Sequence, residues 1–511
     1  MLLSYSSPVF VCIHQQLRLN EHRKEKHMRR ILTSLLILTL TILASCSPRG
    51  LTPVSENSLP LEDCALTSPT GRQFDARCGV LTVPEDRSNP SGRQIELHIA
   101  VFPAIKRNPQ PDPLFLLAGG PGQSAIETFP SMIGLLFNIH EDRDIVLVDQ
   151  RGTGESNPLK CLKPEDEDLT EEESIEKLKS CPQSLDADLR FYNTEIAMTD
   201  LDEVRSALGY DTINIYGASY GTRAALTYLR MFPEHVRTVT LDAVVDPDFV
   251  MFMDAAKDGQ AALDKFFARC EANDACSNIF PNLSSEFDNL LERVDEAPPK
   301  ITIPHPLTNK PLELEITRQL ITNMVFNTLY APEIVATLPL SIHQAYEDEN
   351  YVPLISQAFL VNAGIYDGMF YAVTCTEDAP LISSNEAAKL SKGSVFGDRT
   401  IDFAETCTQW KKGTVSTEFR SPIPSDVPTL ILSGDADPIT PPWHAEKVTD
   451  QLTNDLHLVF SNMGHGNLSN KCSIDIFETF IENASIQGLD TSCVDSIEPP
   501  PFFVDFSGPR P

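Results

Sequence analysis

The sequence is poor in basic residues: 40 Lys and Arg stand against 72 Asp and Glu, a formal net charge of −32. That deficit excludes nucleic acid as a partner, because a phosphate backbone demands a basic surface. The acidity reads as a solvated surface that favours solubility, and no substrate preference follows from it. Cys-x-x-Cys and His-Glu-x-x-His are both missing and the 11 histidines are scattered, so no metal site is indicated. The apolar run 31–43 falls short of the ~20 residues that a comfortable transmembrane helix needs. Internal repeats are also lacking.

Hydrophobic residues make up 41% of the 511, enough to bury a sizeable core and to exclude global disorder. The length suits one large domain with an insertion, or two domains. Met28-Arg29-Arg30, the run 31–43 and then Ala44-Ser45-Cys46 make the basic, apolar and small-residue series of a secretory signal. Leu43-Ala44-Ser45-Cys46 also resembles the lipobox of bacterial lipoproteins, which would make Cys46 the lipidated N-terminus of a cell-envelope protein. The alternative is an ordinary signal peptide with an incidental cysteine. Residues 1–27 read as an over-extended gene start, with Met28 as the expected true start. Setting aside Cys12 and Cys46 leaves ten cysteines, an even count that reads as a disulfide framework in an exported chain. The simplest pairing joins neighbours: Cys64 with Cys78, Cys161 with Cys181, Cys270 with Cys276, Cys375 with Cys407, and Cys472 with Cys493.

Beyond a polar linker (46–60), residues 78–83 and 94–101 alternate as strands around a turn-rich 84–92. The runs 113–118 and 144–148 are continuously apolar, as strands buried on both faces of a parallel sheet are. Residues 199–208 place Leu201, Val204 and Leu208 on one helical face, with Thr199 and Asp202 as the expected cap. A strand ending at Ala218, a helix over 222–231 and a strand over 236–241 follow. This alternation predicts an α/β fold with a mostly parallel sheet flanked by helices. Residues 248–420 instead read as mainly helical (249–268, 286–294, 317–328, 333–348), and strands resume at 427–433 and 456–460. The expected organisation is therefore a sheet domain over 61–247 and 421–511 carrying a helical lid over 248–420. The Pro-rich 499–511 is expected to be a docked or frayed tail.

Gly217-Ala218-Ser219-Tyr220-Gly221 lies where the strand passes into the helix, so Ser219 sits on a sharp turn with its hydroxyl lifted clear of the sheet. Such a serine needs a base, and the base needs an orienting acid. Gly434-Asp435-Ala436-Asp437-Pro438-Ile439-Thr440-Pro441 follows one late strand, and Gly464-His465-Gly466 follows the last. The order Ser219, Asp437, His465 is that of α/β-hydrolases. Asp437 is preferred over Asp435 because it precedes x-x-Thr-Pro. His465 is preferred over His444, which falls at a helix start. Two N–H donors must face the developing oxyanion: Tyr220, just after the serine, and Gly120 in Ala118-Gly119-Gly120-Pro121-Gly122.

These motifs, together with Cys78-Gly79-Val80-Leu81-Thr82-Val83-Pro84-Glu85-Asp86 and Asp149-Gln150-Arg151-Gly152-Thr153-Gly154-Glu155-Ser156, resemble the proline iminopeptidase and tripeptidyl aminopeptidase group of α/β-hydrolases. The resemblance spans roughly residues 75–245 and 370–470 and is weak across most of the insertion. It departs from the group at Ala118, where histidine usually precedes Gly-Gly-Pro-Gly; the backbone donors survive, but support for the loop is in doubt. Arg151 reads as one half of a buried ion pair. The resemblance implies a serine aminopeptidase that takes residues or short peptides from free N-termini. Within Val373-Thr374-Cys375-Thr376-Glu377-Asp378 it implies Glu377 as the carboxylate that holds the substrate ammonium, against a surface acid beside a disulfide. It implies no cofactor, and no membrane contact beyond a lipid anchor. A carboxylesterase with the same triad is the alternative, since the fold hosts both chemistries. A binding protein on a dead hydrolase scaffold is the third reading, disfavoured because a scaffold has no need of all three triad residues.

Overall fold

Successive residues of a strand point to opposite sides of its sheet, so a run apolar at every position needs cover on both faces. The computed structural model describes residues 59–509 apart from 69–70, 164–165, 167–170, 305–308 and 359–363. Seven strands come first: β1 (Glu62–Thr67), β2 (Gln73–Pro84), β3 (Gln94–Phe102), β4 (Leu114–Leu117), β5 (Ile145–Val148), β6 (Ile213–Ala218) and β7 (Val236–Asp242). A hairpin of β8 (Lys300–Pro304) and β9 (Pro311–Glu315) stands apart, and β10 (Thr429–Gly434) and β11 (Asp455–Phe460) complete the main sheet. That sheet has nine strands in the order β1-β2-β3-β5-β4-β6-β7-β10-β11. The first three and the β3–β5 pairing are antiparallel, and every pairing from β5 to β11 is parallel. Both faces are covered. Leu114, Leu116, Ile145, Leu147, Leu430 and Leu432 enter one core, while Phe115, Leu117, Val146, Val148 and Ile431 enter the other.

From β4 the chain steps outward to β5, then returns past β4 to β6 and continues the opposite way. The crevice at the carboxyl ends of β4 and β6 is therefore the switch point, where open α/β sheets bind their ligands. Helix α1 (Thr194–Leu208) begins five residues before the expected 199: Asn193, not Thr199, is its cap, accepting the Ile196 N–H at 3.0 Å. Helix α2 (Tyr220–Met231) follows β6 directly. The segment after β7 is mainly helical, including α3 (Ala255–Ala272), α4 (Arg318–Thr328) and α5 (Asp367–Glu377). The helix expected over 249–268 begins only at Ala255, and two features there were not anticipated. One is the β8–β9 hairpin. The other is a break in the helix expected over 333–348, which divides into Pro332–Val335 and Leu338–Glu347 with Pro339 in the first turn of the second piece.

Helices α6 (Pro442–Thr449) and α7 (Lys471–Asn483) close the sheet domain. The five disulfides join neighbours, as expected: 64–78, 161–181, 270–276, 375–407 and 472–493. Arg151 is fully buried and grips Asp200 with two parallel bonds of 2.6 and 2.8 Å. The tail is docked: Phe502 and Val504 are buried, and the Phe503 N–H donates to the Ala336 carbonyl at 2.8 Å. Among the described residues no helix is long and apolar enough to cross a membrane. The signal segment, Met28 and Cys46 lie outside the described residues.

Candidate active site

Ser219 occupies the turn between β6 and α2 with φ +56° and ψ −125°, a conformation L-residues avoid unless their surroundings impose it. The flanking glycines make the turn possible by clearance. A Cβ on Gly217 would stand 2.2 Å from the Gly221 carbonyl oxygen, and one on Gly221 would stand 2.3 Å from the carbonyl oxygen of Leu117. β4 and α2 are thereby brought together, which sets the Gly119–Gly120 loop beside the serine. Gly119 gives its N–H to the Gln123 side chain at 3.0 Å, while Gly120 lines the cavity at φ +104°. Tyr220, at the first position of α2, carries one of the N–H groups that a helix cannot satisfy internally. Gly120 and Tyr220 therefore line the same cavity as Ser219, and their backbone N–H groups are the candidate donors to an oxyanion. The support that Ala118 left in doubt comes from elsewhere: the Tyr366 N–H donates to the Gly122 carbonyl at 2.7 Å, and Gln123 forms a β-bridge with Ile365.

Asp437 follows β10 and is buried. Its Oδ1 accepts the N–H groups of Ile439 and Thr440 at 2.9 and 3.0 Å, and its Oδ2 meets His465 Nδ1 at 2.8 Å. Burial by itself would raise the Asp437 carboxyl, but the facing imidazole and the two N–H donors hold it below its ordinary range. Burial likewise pulls the His465 imidazole down, yet Asp437, with Asp242 adding to it, leaves it above its ordinary value. The rival residues are engaged elsewhere. Asp435 accepts the Asn462 N–H at 2.6 Å and pairs with Lys265 at 2.6 Å. His444 is fully buried with Nδ1 against Asp246.

Ser219, Tyr220, Gly120 and His465 line one cavity of about 760 Å³. Its floor is the carboxyl edge of the sheet, and its roof carries Phe252, Met324, Asn327, Tyr330, Phe370 and Tyr371 from the helical segment. A hydroxyl, an imidazole paired to a buried carboxylate and two backbone donors can together attack and stabilise an acyl carbonyl.

Glu377 requires a correction. It neither lines this cavity nor lies on the surface: its side chain is wholly buried. It accepts the Thr194 N–H at 2.7 Å and the Thr194 hydroxyl at 3.0 Å, and stands 3.4 Å from Arg223 Nη1. Burial pushes its carboxyl up to about 7, with Arg223 opposing. Arg223, which also pairs with Asp378 at 3.1 Å, reaches the wall, as does the carboxyl residue Asp367. Glu377 instead ends a relay behind the serine: Gln150 donates to the Tyr220 hydroxyl at 3.1 Å, Tyr220 to Thr194 Oγ1 at 2.7 Å, and Thr194 to Glu377.

Sequence reasoning missed Asp242, at the end of β7. Its buried carboxylate accepts the N–H groups of Asn467 and Leu468 at 2.8 and 3.0 Å, and the Tyr216 hydroxyl at 2.9 Å. It grips the loop that carries His465. An acid directly after the strand expected over 236–241 was the available signal.

A family model described as the alpha/beta hydrolase fold matches residues 112–471. The chain belongs to that family. Among its relatives is the serine protease Hip1 of Mycobacterium tuberculosis, 27% identical over 435 residues that cover 76% of this chain and 81% of that one. The tripeptidyl aminopeptidase of Streptomyces lividans is 30% identical over 207 residues, 36% of this chain and 38% of that protein. Carboxylesterase B of M. tuberculosis is 26% identical over 417 residues, 72% of this chain and 76% of that one. The family resemblance read from the motifs is borne out. This α/β-hydrolase is a serine hydrolase.

Proposed function

We propose that the protein is an exported serine aminopeptidase that releases residues or short peptides from free N-termini through an acyl-enzyme. Ser219 attacks the scissile carbonyl while His465 takes its proton and later delivers it to the leaving amine. Asp437 fixes the imidazole tautomer, and the Gly120 and Tyr220 N–H groups hold the oxyanion. Water then releases the acyl group by the same route in reverse.

One observation carries the peptide reading: the cavity beside Ser219 encloses about 760 Å³. That volume lies in the range which encases a whole drug-sized ligand, far more than a short acyl chain fills. Relatives named serine protease and tripeptidyl aminopeptidase agree with it. A second reading, a carboxylesterase, is favoured by the position of Glu377 behind the wall and by a relative of that name. Aminoacyl to tripeptidyl arylamides, with free and acetylated N-termini, are to be assayed beside short-chain acyl esters. Cleavage that needs the free amine is expected. Ester turnover without amide cleavage would give the site to the second reading.

Export and a lipid anchor on Cys46 belong to the same proposal, supported by five disulfides of the kind that oxidising compartments maintain. Mass spectrometry of the N-terminal peptide from cell membranes is expected to show an acylated Cys46; an unmodified Cys46 would remove the anchor.

A further inference from the structure

The loop that carries His465 meets the helical segment just after α4. There the His465 N–H donates to the Tyr330 carbonyl at 2.8 Å. The Tyr330 ring stands edge-on to the imidazole, centroids 5.0 Å apart, and its other neighbour is Phe326 at 5.9 Å. Tyr330 is itself fixed by the closing turn of α4, where Tyr330 and Ala331 donate to the carbonyls of Asn327 and Thr328 at 3.3 and 3.2 Å. Gly464 explains how the two chains come so near. A Cβ there would stand 2.4 Å from the Tyr330 carbonyl oxygen and 3.0 Å from that of Leu329. Gly464 is thus a clearance glycine, whereas Gly466, at φ +89° with open space around it, serves the bend of the loop.

We propose that Tyr330 is a positioning residue for His465, so that the helical segment completes the catalytic base as well as roofing the cavity. The carbonyl fixes the backbone of the histidine, and the ring closes one side of the imidazole while Asp437 holds Nδ1. Asp242 grips the far end of the same loop through Asn467 and Leu468. The imidazole is therefore set by contacts from β7, β10 and the helical segment together. A base displaced by about 1 Å costs up to 10²-fold in rate, so such contacts are worth a measurable part of kcat.

The charged and titratable groups facing His465 are Asp437 and Asp242 from the sheet domain and Tyr330 from the helical segment, with Arg399 acting on Tyr330. Stripping the ring away hydrates the imidazole and relieves the burial that lowers its pKa. The acid limb of kcat/KM then moves to higher pH, because neutral imidazole is the working form.

The inference rests on His465 being the base, and the experiment separates the two. Tyr330→Phe, Tyr330→Ala, Gly464→Ala and His465→Ala are compared on the arylamide cleaved best, or on an acyl ester if esters alone are turned over. Tyr330→Phe keeps every ring contact and is expected to stay within about threefold of the parent, whereas Tyr330→Ala loses roughly ten- to a hundredfold in kcat with KM little changed. Its acid limb moves up in pH. Gly464→Ala, which pushes on the carbonyl from the opposite side, is expected to lose kcat in the same way. A Tyr330→Ala enzyme with unchanged kcat and pH limb, or one whose loss lies wholly in KM, overturns the proposal. So does a large kcat loss in Tyr330→Phe, a variant that keeps the packing and folds, since the hydroxyl would then be the active part. An active His465→Ala enzyme would instead remove the assignment of the base.

Discussion

Single residues in this site are held by neighbours that shift their charge states in a usable direction. Asp437 sits below its ordinary range and His465 above its reference value of 6.5, each because of the other. In the proposed mechanism neutral His465 takes the serine proton, so activity is expected to fall as pH drops through a value above 6.5. Asp437→Asn removes the charge that raises the imidazole, so its acid limb moves to lower pH while kcat drops about 10⁴-fold. A pH series of kcat/KM on both enzymes checks this; coincident limbs would dissociate Asp437 from His465. At this scale the serine turn and the Asp437–His465 pair were legible, because each residue follows a strand within a short motif of glycine or proline. Glu377 was not. Cys-x-Glu gives a residue type in a helix but not which face of the helix looks into the cavity, and burial against Thr194 and Arg223 decided that. Tyr330 left no signal, since its contact with His465 joins segments that nothing in the sequence pairs.

Among the elements, strands buried on both faces were the easiest to read. β4 and β5 are apolar at every position and β10 through its middle, and all three lie within two residues of where the sequence put them. β8 and β9 were missed because two short half-exposed strands carry a weak pattern among helical signals. The start of α1 was missed because its cap, Asn193, stands well before the periodic face begins. Close approach of β4 to α2 is the element contact on which the serine turn depends. A methyl group on Gly221 would meet the Leu117 carbonyl carbon at 2.9 Å as well as its oxygen, both of them backbone atoms with little room to yield. Gly221→Ala is expected to destabilise the fold by about 1–3 kcal/mol or more and to abolish activity. Thermal melting and a kcat assay on the soluble protein test both halves; a parent-like melt would mean that the turn is looser than described.

For the molecule as a whole, the sheet domain and the helical segment work as one unit around the cavity. Tyr330 meets the histidine loop on one side, and Tyr366 meets the loop of Gly119–Gly122 on the other. The Cys375–Cys407 bridge closes 32 residues within the helical segment and anchors α5. Chain-entropy arguments give such a bridge about 3–4 kcal/mol, so the Cys375→Ser/Cys407→Ser variant is expected to unfold at clearly lower urea, with a slope equal to or steeper than the parent's because the unfolded chain is less constrained. An unchanged midpoint would show that packing alone holds α5. The account depends above all on Ser219 being the nucleophile, and covalent capture by a fluorophosphonate tests that most directly. The wild-type protein is predicted to carry one adduct, on the peptide containing Ser219, and Ser219→Ala to carry none while melting like the parent. A wild-type protein that takes no label, or takes it on another residue, would contradict the account.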